Sequence, residues 1–275
     1  MPELPETETI ARDLHREVRG RTVVELRITR ADVLRETSAA ELEQRLVGAR
    51  IERAWRRAKL VVLDLSTGDR LVVQPRFTGA VLIDRGALPA AERRFSTLAL
   101  TLDDGTVLHY RDIRRLGTVM LMGPERWAGY TAALGAEPLD PSFTADHLSA
   151  LLRGSRQAVK KVLMDQRRVV GVGNIYANES LWRARVDPSR PASGLSPEEG
   201  ARLHGALVGV LAESIEARGT SFRDYVDAAG ARGSFVAQLA AYGRGGEPCR
   251  TCGARLVETH AVDGRTTVFC AWCQR

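Results

Sequence analysis

From about residue 20 to 123 the apolar residues come in short β-branched or alternating runs: "TVVELRI" (22–28), "LVVLDL" (60–65), "LVVQPRF" (71–77), "AVLI" (80–83), "LALTL" (98–102) and "TVMLM" (118–122). Polar, glycine-bearing gaps divide them, and "STGD" (66–69) and "DDG" (103–105) have the composition of hairpin turns. Short strands with tight turns predict an antiparallel sandwich rather than alternating β and α units. A stretch with Pro124, Gly129, Pro138 and Pro141 reads as a connection, and beyond it the period changes. "TADHLSALLRG" (144–154), "RQAVKKVLMDQ" (156–166), "IYANESLWRARV" (175–186) and "SPEEGARLHGALVGVLAESIEARG" (196–219) place apolar residues at helical spacing. Ser196 followed by Glu199 is a capping-box start. A polar loop at 220–234 leads to one more short helix and a cysteine-bearing tail. At the other end, proline and the acids at 3, 6 and 8 suit the first turn of a helix from about Glu6 to His15. The expected class is α+β: an N-terminal helix with an antiparallel sandwich over 1–125, a linker over 126–144, a helical domain over 145–235 and a tail domain over 236–275.

A chain of 275 residues suffices for one or two domains with cores of their own. Lys and Arg outnumber Asp and Glu by 40 to 34, a formal charge of +6, and only positions 59, 160 and 161 are lysines. A basic surface favours polyanionic partners without naming one. No charged segment leads into an apolar export signal and no apolar run has membrane length, so the expectation is a cytoplasmic protein without membrane partners. All four cysteines fall in the last 27 residues as C-x2-C-x17-C-x2-C: Cys249, Cys252, Cys270 and Cys273. Two such turns joined by a hairpin deliver the four thiolates that tetrahedral Zn²⁺ takes, so one structural zinc is expected ahead of two disulfides or four unrelated thiols.

Two further stretches carry chemistry. In "VVGVGNIYANES" (169–180), Gly171 and Gly173 bracket a tight turn and Asn174 opens a helix, which exposes N–H groups to an anion. It is also an ordinary glycine turn between helices, and Lys160 nearby is as easily surface charge. In "MPELPETET", removal of Met1 would make Pro2 a terminal secondary amine beside Glu3. Such an amine titrates near ~8 and can form a Schiff base. From the residues alone, helix cap and nucleophile stand side by side.

Together these motifs resemble the formamidopyrimidine-DNA glycosylase/endonuclease VIII family of base-excision repair enzymes. "PELPETET" is similar to its N-terminal signature, "GVGNIYANES" to its helix–two-turn–helix motif and "YGRGGEPC" with the later cysteines to its zinc finger. The likeness runs the whole length, and the "PELPE" form points to the formamidopyrimidine branch. It implies that Pro2 is the nucleophile at C1′ of a damaged nucleoside, that Glu3 is the acid/base partner and that Glu6 is a second carboxylate of the lesion pocket. Lys59 in "RRAKLVVLDL" matches the lysine near the lesion phosphate and sugar. His109, Lys160, Asn174 and Arg265 fall among the DNA-binding residues. Phe77 in "QPRFTG" (74–79), with Arg114 and Leu116 in "DIRRLG" (112–117), take the places of the three residues that fill the void left by a flipped base. Gln74, Phe77 and Leu116 depart from the family's histidine, methionine and phenylalanine, which bears on lesion range and opposite-base preference. An aromatic wedge remains sensible because stacking on bases contributes ~1–3 kcal/mol.

The resemblance therefore implies a monomeric, bifunctional DNA glycosylase and abasic-site lyase acting on damaged duplex DNA by β,δ-elimination, associated with the nucleoid in a bacterium. "GTSFRDYVDAAGARGS" (219–234) resembles the lesion-capping loop of the formamidopyrimidine branch and favours oxidised purines, 8-oxoguanine and formamidopyrimidines. Gln74 is the support for the alternative, an endonuclease VIII-like preference for oxidised pyrimidines. A non-catalytic zinc-containing DNA-binding module is the alternative from another class, and it would not need Pro2, Glu3, Glu6 and Lys59 together.

Overall fold

The computed structural model describes residues 2–275, which form two compact units: one of residues up to 132 with 217–234, the other of 133–216 with 235–275. The first unit opens with α1 (Leu4–Val18), which starts before Glu6 and runs past His15. Ile10, Leu14 and Val18 at four-residue spacing carry its buried stripe into the unit's core. There follow β1 (Val23–Ile28), α2 (Ala39–Leu46), β2 (Ile51–Arg57), β3 (Leu60–Leu65), β4 (Arg70–Gln74), β5 (Gly79–Asp84), α3 (Ala90–Arg93), β6 (Ser96–Leu102), β7 (Val107–Asp112), β8 (Thr118–Met122) and α4 (Pro124–Ala132).

The strands pair into two antiparallel sheets, ordered β1-β6-β7-β5 and β2-β3-β4-β8. Leu98, Leu100, Leu108 and Tyr110 from the first meet Val61, Leu63, Leu71, Val73 and Leu121 from the second in one shared core. This is the expected sandwich. The other face of the second sheet is also covered. Leu60, Val62, Val72, Met120 and Met122 pack with Trp55 and with Trp127 of α4, the two indoles meeting edge to face at 5.6 Å. Burial on both faces explains why "LVVLDL" and "TVMLM" read as nearly unbroken apolar runs. The hairpins at 66–69 and 103–106 close through Leu65 N–H to Asp69 O (2.9 Å) and Leu102 N–H to Thr106 O (2.8 Å).

Three features differ from the sequence reading. Strands β2 and β7 were not among the expected six. The supposed linker is helical at its start, as α4. The segment 219–234, placed by sequence with the helical domain, belongs to the first unit.

The second unit comprises α5 (Ala145–Arg153), α6 (Val159–Met164), α7 (Asn174–Ala184), α8 (Pro197–Glu216), a 3-10 turn (Phe235–Gln238) and a hairpin of β9 (Val257–Thr259) and β10 (Thr267–Phe269). Ser196 Oγ accepts from Glu199 N–H (3.3 Å) while Glu199 accepts from Ser196 N–H (2.8 Å), so the capping box forms. Buried Tyr176 and Ser214 hydrogen bond at 2.6 Å and join α7 to α8. Among the described residues no helix is long and apolar enough to cross a membrane.

Candidate active site and nucleic-acid interface

The chemistry-bearing start of the chain is built as a helix cap. Glu3 is the N-cap of α1, and its carboxylate accepts from Glu6 N–H while Glu6 Oε2 accepts from Glu3 N–H at 2.8 Å. Pro2, Glu3 and Glu6 are all buried. Met1, whose removal the nucleophile reading requires, lies outside the described residues. The helix-cap alternative for this stretch is realised, and the cap that starts α1 holds the carboxylates of Glu3 and Glu6 next to one another.

The second oxygen of Glu6 reaches across the unit. Glu6 Oε1 accepts from Thr220 N–H at 2.8 Å and so grips the first residues of the 219–234 segment. A Cβ on Gly219, at φ +87°, would lie 2.9 Å from the Tyr225 ring and 3.0 Å from Glu6 Cγ, so only glycine allows this approach. Burial and the adjacent Glu6 charge push the Tyr225 phenol well above its ordinary range. Arg218 pairs with buried Asp13 of α1 and with buried Asp227 (2.6 Å), and Ile83 N–H of β5 donates to Ala228 O (2.8 Å). The segment is therefore tied to α1 and to a sheet edge, with Phe222, Arg223 and Asp224 exposed at its tip.

Lys59 sits in the turn of the β2–β3 hairpin. Register pairs Arg57 with Leu60 and leaves Ala58 and Lys59 as a two-residue turn, with Ala58 in the left-handed region at φ 54°.

The three void-filling candidates are assembled on two touching loops. Phe77 is 47% exposed, the Arg114 guanidinium lies over its ring at 5.3 Å, and Leu116 is exposed beside them in sequence. Buried Asp112 braces the pair of loops, accepting from Thr78 Oγ1 (2.6 Å), Gly117 N–H (2.8 Å) and Tyr110 OH (3.2 Å). Thr78 in turn accepts from Arg114 N–H (3.0 Å). Asp112 is thus engaged with these donors, and Arg114 is held through its backbone and stacked on an aromatic face. Arg76 and Arg115 both have positive φ (48° and 51°), backbone strain of the kind that gathers at functional loops.

In the second unit, Gly171 (φ 79°) makes the turn before α7, and Gln166 pins it by accepting from Gly171 N–H (2.9 Å) and donating to Val172 O (2.8 Å). Lys160 and Asn174 are turned toward the tail hairpin. Lys160 is fully buried, its Nζ donating to Thr267 Oγ1 (2.7 Å) and Thr266 O (3.2 Å) and pairing with Asp263 (3.3 Å). Asn174 Nδ2 donates to Thr266 O at 2.9 Å. Two residues the sequence reading passed over also hold the tail: Asn178 accepts from Val268 N–H of the hairpin (2.7 Å), and buried Glu179 accepts from the N–H groups of Ala240, Ala241 and Tyr242 before it (2.7–2.9 Å). Burial raises the Glu179 carboxyl above its usual range despite those donors. Arg265 projects exposed from the hairpin turn.

All four cysteines are free thiols, so the disulfide alternative is not realised. Their sulfurs lie within 4.8 Å of one another, with Cys252 and Cys270 at 3.5 Å. A tetrahedron of thiolates on Zn²⁺ has edges of ~3.8 Å from Zn–S bonds of ~2.3 Å, so the cluster is of the right size to hold a metal. Burial opposes ionisation of Cys249, yet the N–H groups of Cys252 and Thr251 outweigh it and draw that thiol down to about 6.

With this geometry in place, the comparisons with known proteins decide the family. Models described as the formamidopyrimidine-DNA glycosylase N-terminal domain and the formamidopyrimidine-DNA glycosylase H2TH domain match residues 1–119 and 134–226. The formamidopyrimidine-DNA glycosylase of Xanthomonas campestris pv. campestris is 42% identical over 276 residues, covering 100% of both chains. The chain belongs to the formamidopyrimidine-DNA glycosylase family. Among solved structures it is similar to the MutM (Fpg) protein of Thermus thermophilus (36% identity, TM-score 0.86, 99% of this chain and 98% of that one). It is also similar to Lactococcus lactis Fpg in a complex with N7-benzyl-Fapy-dG containing DNA (30% identity, TM-score 0.90, 100% of each chain).

Within this member of the formamidopyrimidine-DNA glycosylase family, one expected DNA-binding residue, His109, is buried. Leu108 and Tyr110 of β7 face the core, so His109 lies on the other face of the sheet. It is buried, with Nδ1 2.9 Å from Ser96 Oγ and Nε2 3.6 Å from Asp84. Burial lowers its pKa against the pull of Asp84.

Proposed function

We propose that this chain is a bifunctional DNA glycosylase and abasic-site lyase that excises oxidised purines, formamidopyrimidines and 8-oxoguanine, from duplex DNA as a cytoplasmic, nucleoid-associated monomer. The observation that carries the reading is the buried cap at the chain start, where Pro2 adjoins Glu3 and Glu6 and Glu6 also holds the 219–234 segment. With Met1 removed, the Pro2 nitrogen attacks C1′ as the glycosidic bond breaks, the proton released by the amine goes to the departing base, and Glu3 protonates the ring oxygen as the sugar opens to an iminium. The iminium acidifies C2′; loss of that proton expels the 3′ phosphate, a second elimination expels the 5′ phosphate, and water releases Pro2. Lys59 serves at the sugar and phosphate. Glu6 shapes the lesion pocket by holding the cap and the capping segment at once.

Arg114 and Phe77 enter the stack as a preformed pair with Leu116, while Arg265 and the α7 start face the DNA backbone. Lys160 acts from beneath by supporting the hairpin. Cys249, Cys252, Cys270 and Cys273 hold one Zn²⁺, which fixes the hairpin and takes no part in bond breaking. In domain terms, the first unit carries the chemistry and the second the helix–two-turn–helix and zinc-finger contacts. The test is cleavage of a lesion panel: duplexes with formamidopyrimidine or 8-oxoguanine opposite cytosine should be cut, and faster than those with oxidised pyrimidines. The reverse order would support the endonuclease VIII-like alternative, and no cleavage of any lesion would support a binding module.

A further inference from the structure

We infer that Arg56 is a positioning residue for Lys59: it pins the turn that carries Lys59 and ties that turn to the catalytic helix α1 through Glu8. The inference rests on the proposed role of Lys59 at the sugar and phosphate. The turn needs a clamp, because Ala58 occupies the left-handed region (φ 54°) in a two-residue hairpin turn where glycine or asparagine is the natural occupant. An alanine there gains nothing from its own conformational preference, and a change in its ψ would swing the next residue, Lys59.

The clamp is visible. The Arg56 side chain is 8% exposed; its Nη1 donates to Ala58 O at 3.1 Å and its Nε to Glu8 Oε2 at 2.9 Å. Glu8 is fixed in turn, since its other oxygen accepts from Arg12 Nε at 2.8 Å. Nε and Nη1 belong to one rigid plane, so the two hydrogen bonds set the Ala58 carbonyl relative to α1 rather than merely attracting opposite charges. Glu8 lies on the same helix as Glu3 and Glu6, at its start. The chain of contacts α1–Glu8–Arg56–Ala58 thus registers the Lys59 turn on the helix whose cap holds Pro2. A lysine at position 56 would keep a charge for Glu8 and lose the planar fork, so it separates positioning from charge pairing.

The experiment uses the full chain on duplex DNA with one abasic site, measuring two quantities in single turnover: borohydride trapping at Pro2 and strand cleavage. Arg56→Lys should trap within twofold of the parent yet cleave about tenfold more slowly, since misplacement by about an ångström can cost up to ~10²-fold. Adding Ala58→Gly, which removes the left-handed penalty, should return cleavage to within about threefold of the parent. Ala58→Gly alone should behave as the parent, and Glu8→Gln should slow cleavage in the same sense with trapping retained. Thermal melting accompanies each variant. Parental cleavage by Arg56→Lys overturns the inference while leaving the glycosylase reading intact. So does equal loss of trapping and cleavage that Ala58→Gly fails to restore. Failure of the parent to trap at Pro2 would overturn both.

Discussion

Replacing Glu6 by glutamine tests the double role of that carboxylate. Its two oxygens accept from Glu3 N–H and Thr220 N–H, both at 2.8 Å, and the residue is 1% exposed. A glutamine offers one oxygen. Whichever N–H it satisfies, its own NH2 group faces the other, leaving one buried donor against another. A hydrogen bond to a charged acceptor contributes roughly 1.5–3 kcal/mol, and the charge at a helix N-terminus a further ~0.3–1 kcal/mol. The expected loss is therefore about 2–4 kcal/mol, a fall in melting midpoint of roughly 4–16 °C for a chain of this size. Hydrogen exchange read by mass spectrometry locates the loss. Protection should drop at least about tenfold either in 217–234 or at the start of α1, with the β3–β4–β8 strands unaffected. Unchanged exchange in both segments with a midpoint shift below about 1 °C would refute the reasoning.

Arg114→Ala should abolish a preference for lesions opposite cytosine over adenine. A guanidinium offers only donors, matching cytosine N3 and O2, and such readout contributes ~1–3 kcal/mol; equal excision opposite both bases by the parent would sink this role. Leu116 stacks less well than an aromatic, so the preference should be modest. Arg265→Ala should weaken binding across sequences and lower the salt slope by about one, and an unchanged slope would place Arg265 away from phosphates. Elemental analysis should find one zinc per chain, and Cys249→Ser should lose it together with DNA affinity; metal-free protein of full affinity would contradict the structural role.

The parts of this molecule legible in its sequence are those that local physics governs. The capping boxes at Glu3–Glu6 and Ser196–Glu199, the hairpin glycines at 68 and 105 and the cysteine spacing each act within a few residues. Strand β2 was hidden because "IERAWRR" runs along a sheet edge and sends only Ile51 and Ala54 into the main core, so its charges mask the alternation. The segment 219–234 was assigned to the helical domain because its anchors, Glu6, Asp13 and Ile83, are distant in sequence and leave no mark near it. The burial of Lys160 and His109 escapes the sequence for a related reason. Residue type and family position suggest phosphate contacts, whereas the hairpin at 263–267 takes up the Lys160 ammonium, and Ser96 and Asp84 flank the His109 ring. Which face of a strand or helix is covered depends on chain that arrives from elsewhere.

The central claim is that the Pro2 nitrogen performs the chemistry. The measurement that tests it most directly is borohydride reduction of the enzyme on 8-oxoguanine duplex DNA, followed by peptide mapping of the crosslink. The account predicts a protein–DNA adduct on an N-terminal Pro2 peptide lacking Met1, lost when an N-terminal extension is retained. An adduct on Lys59, or one undiminished by the extension, would contradict it.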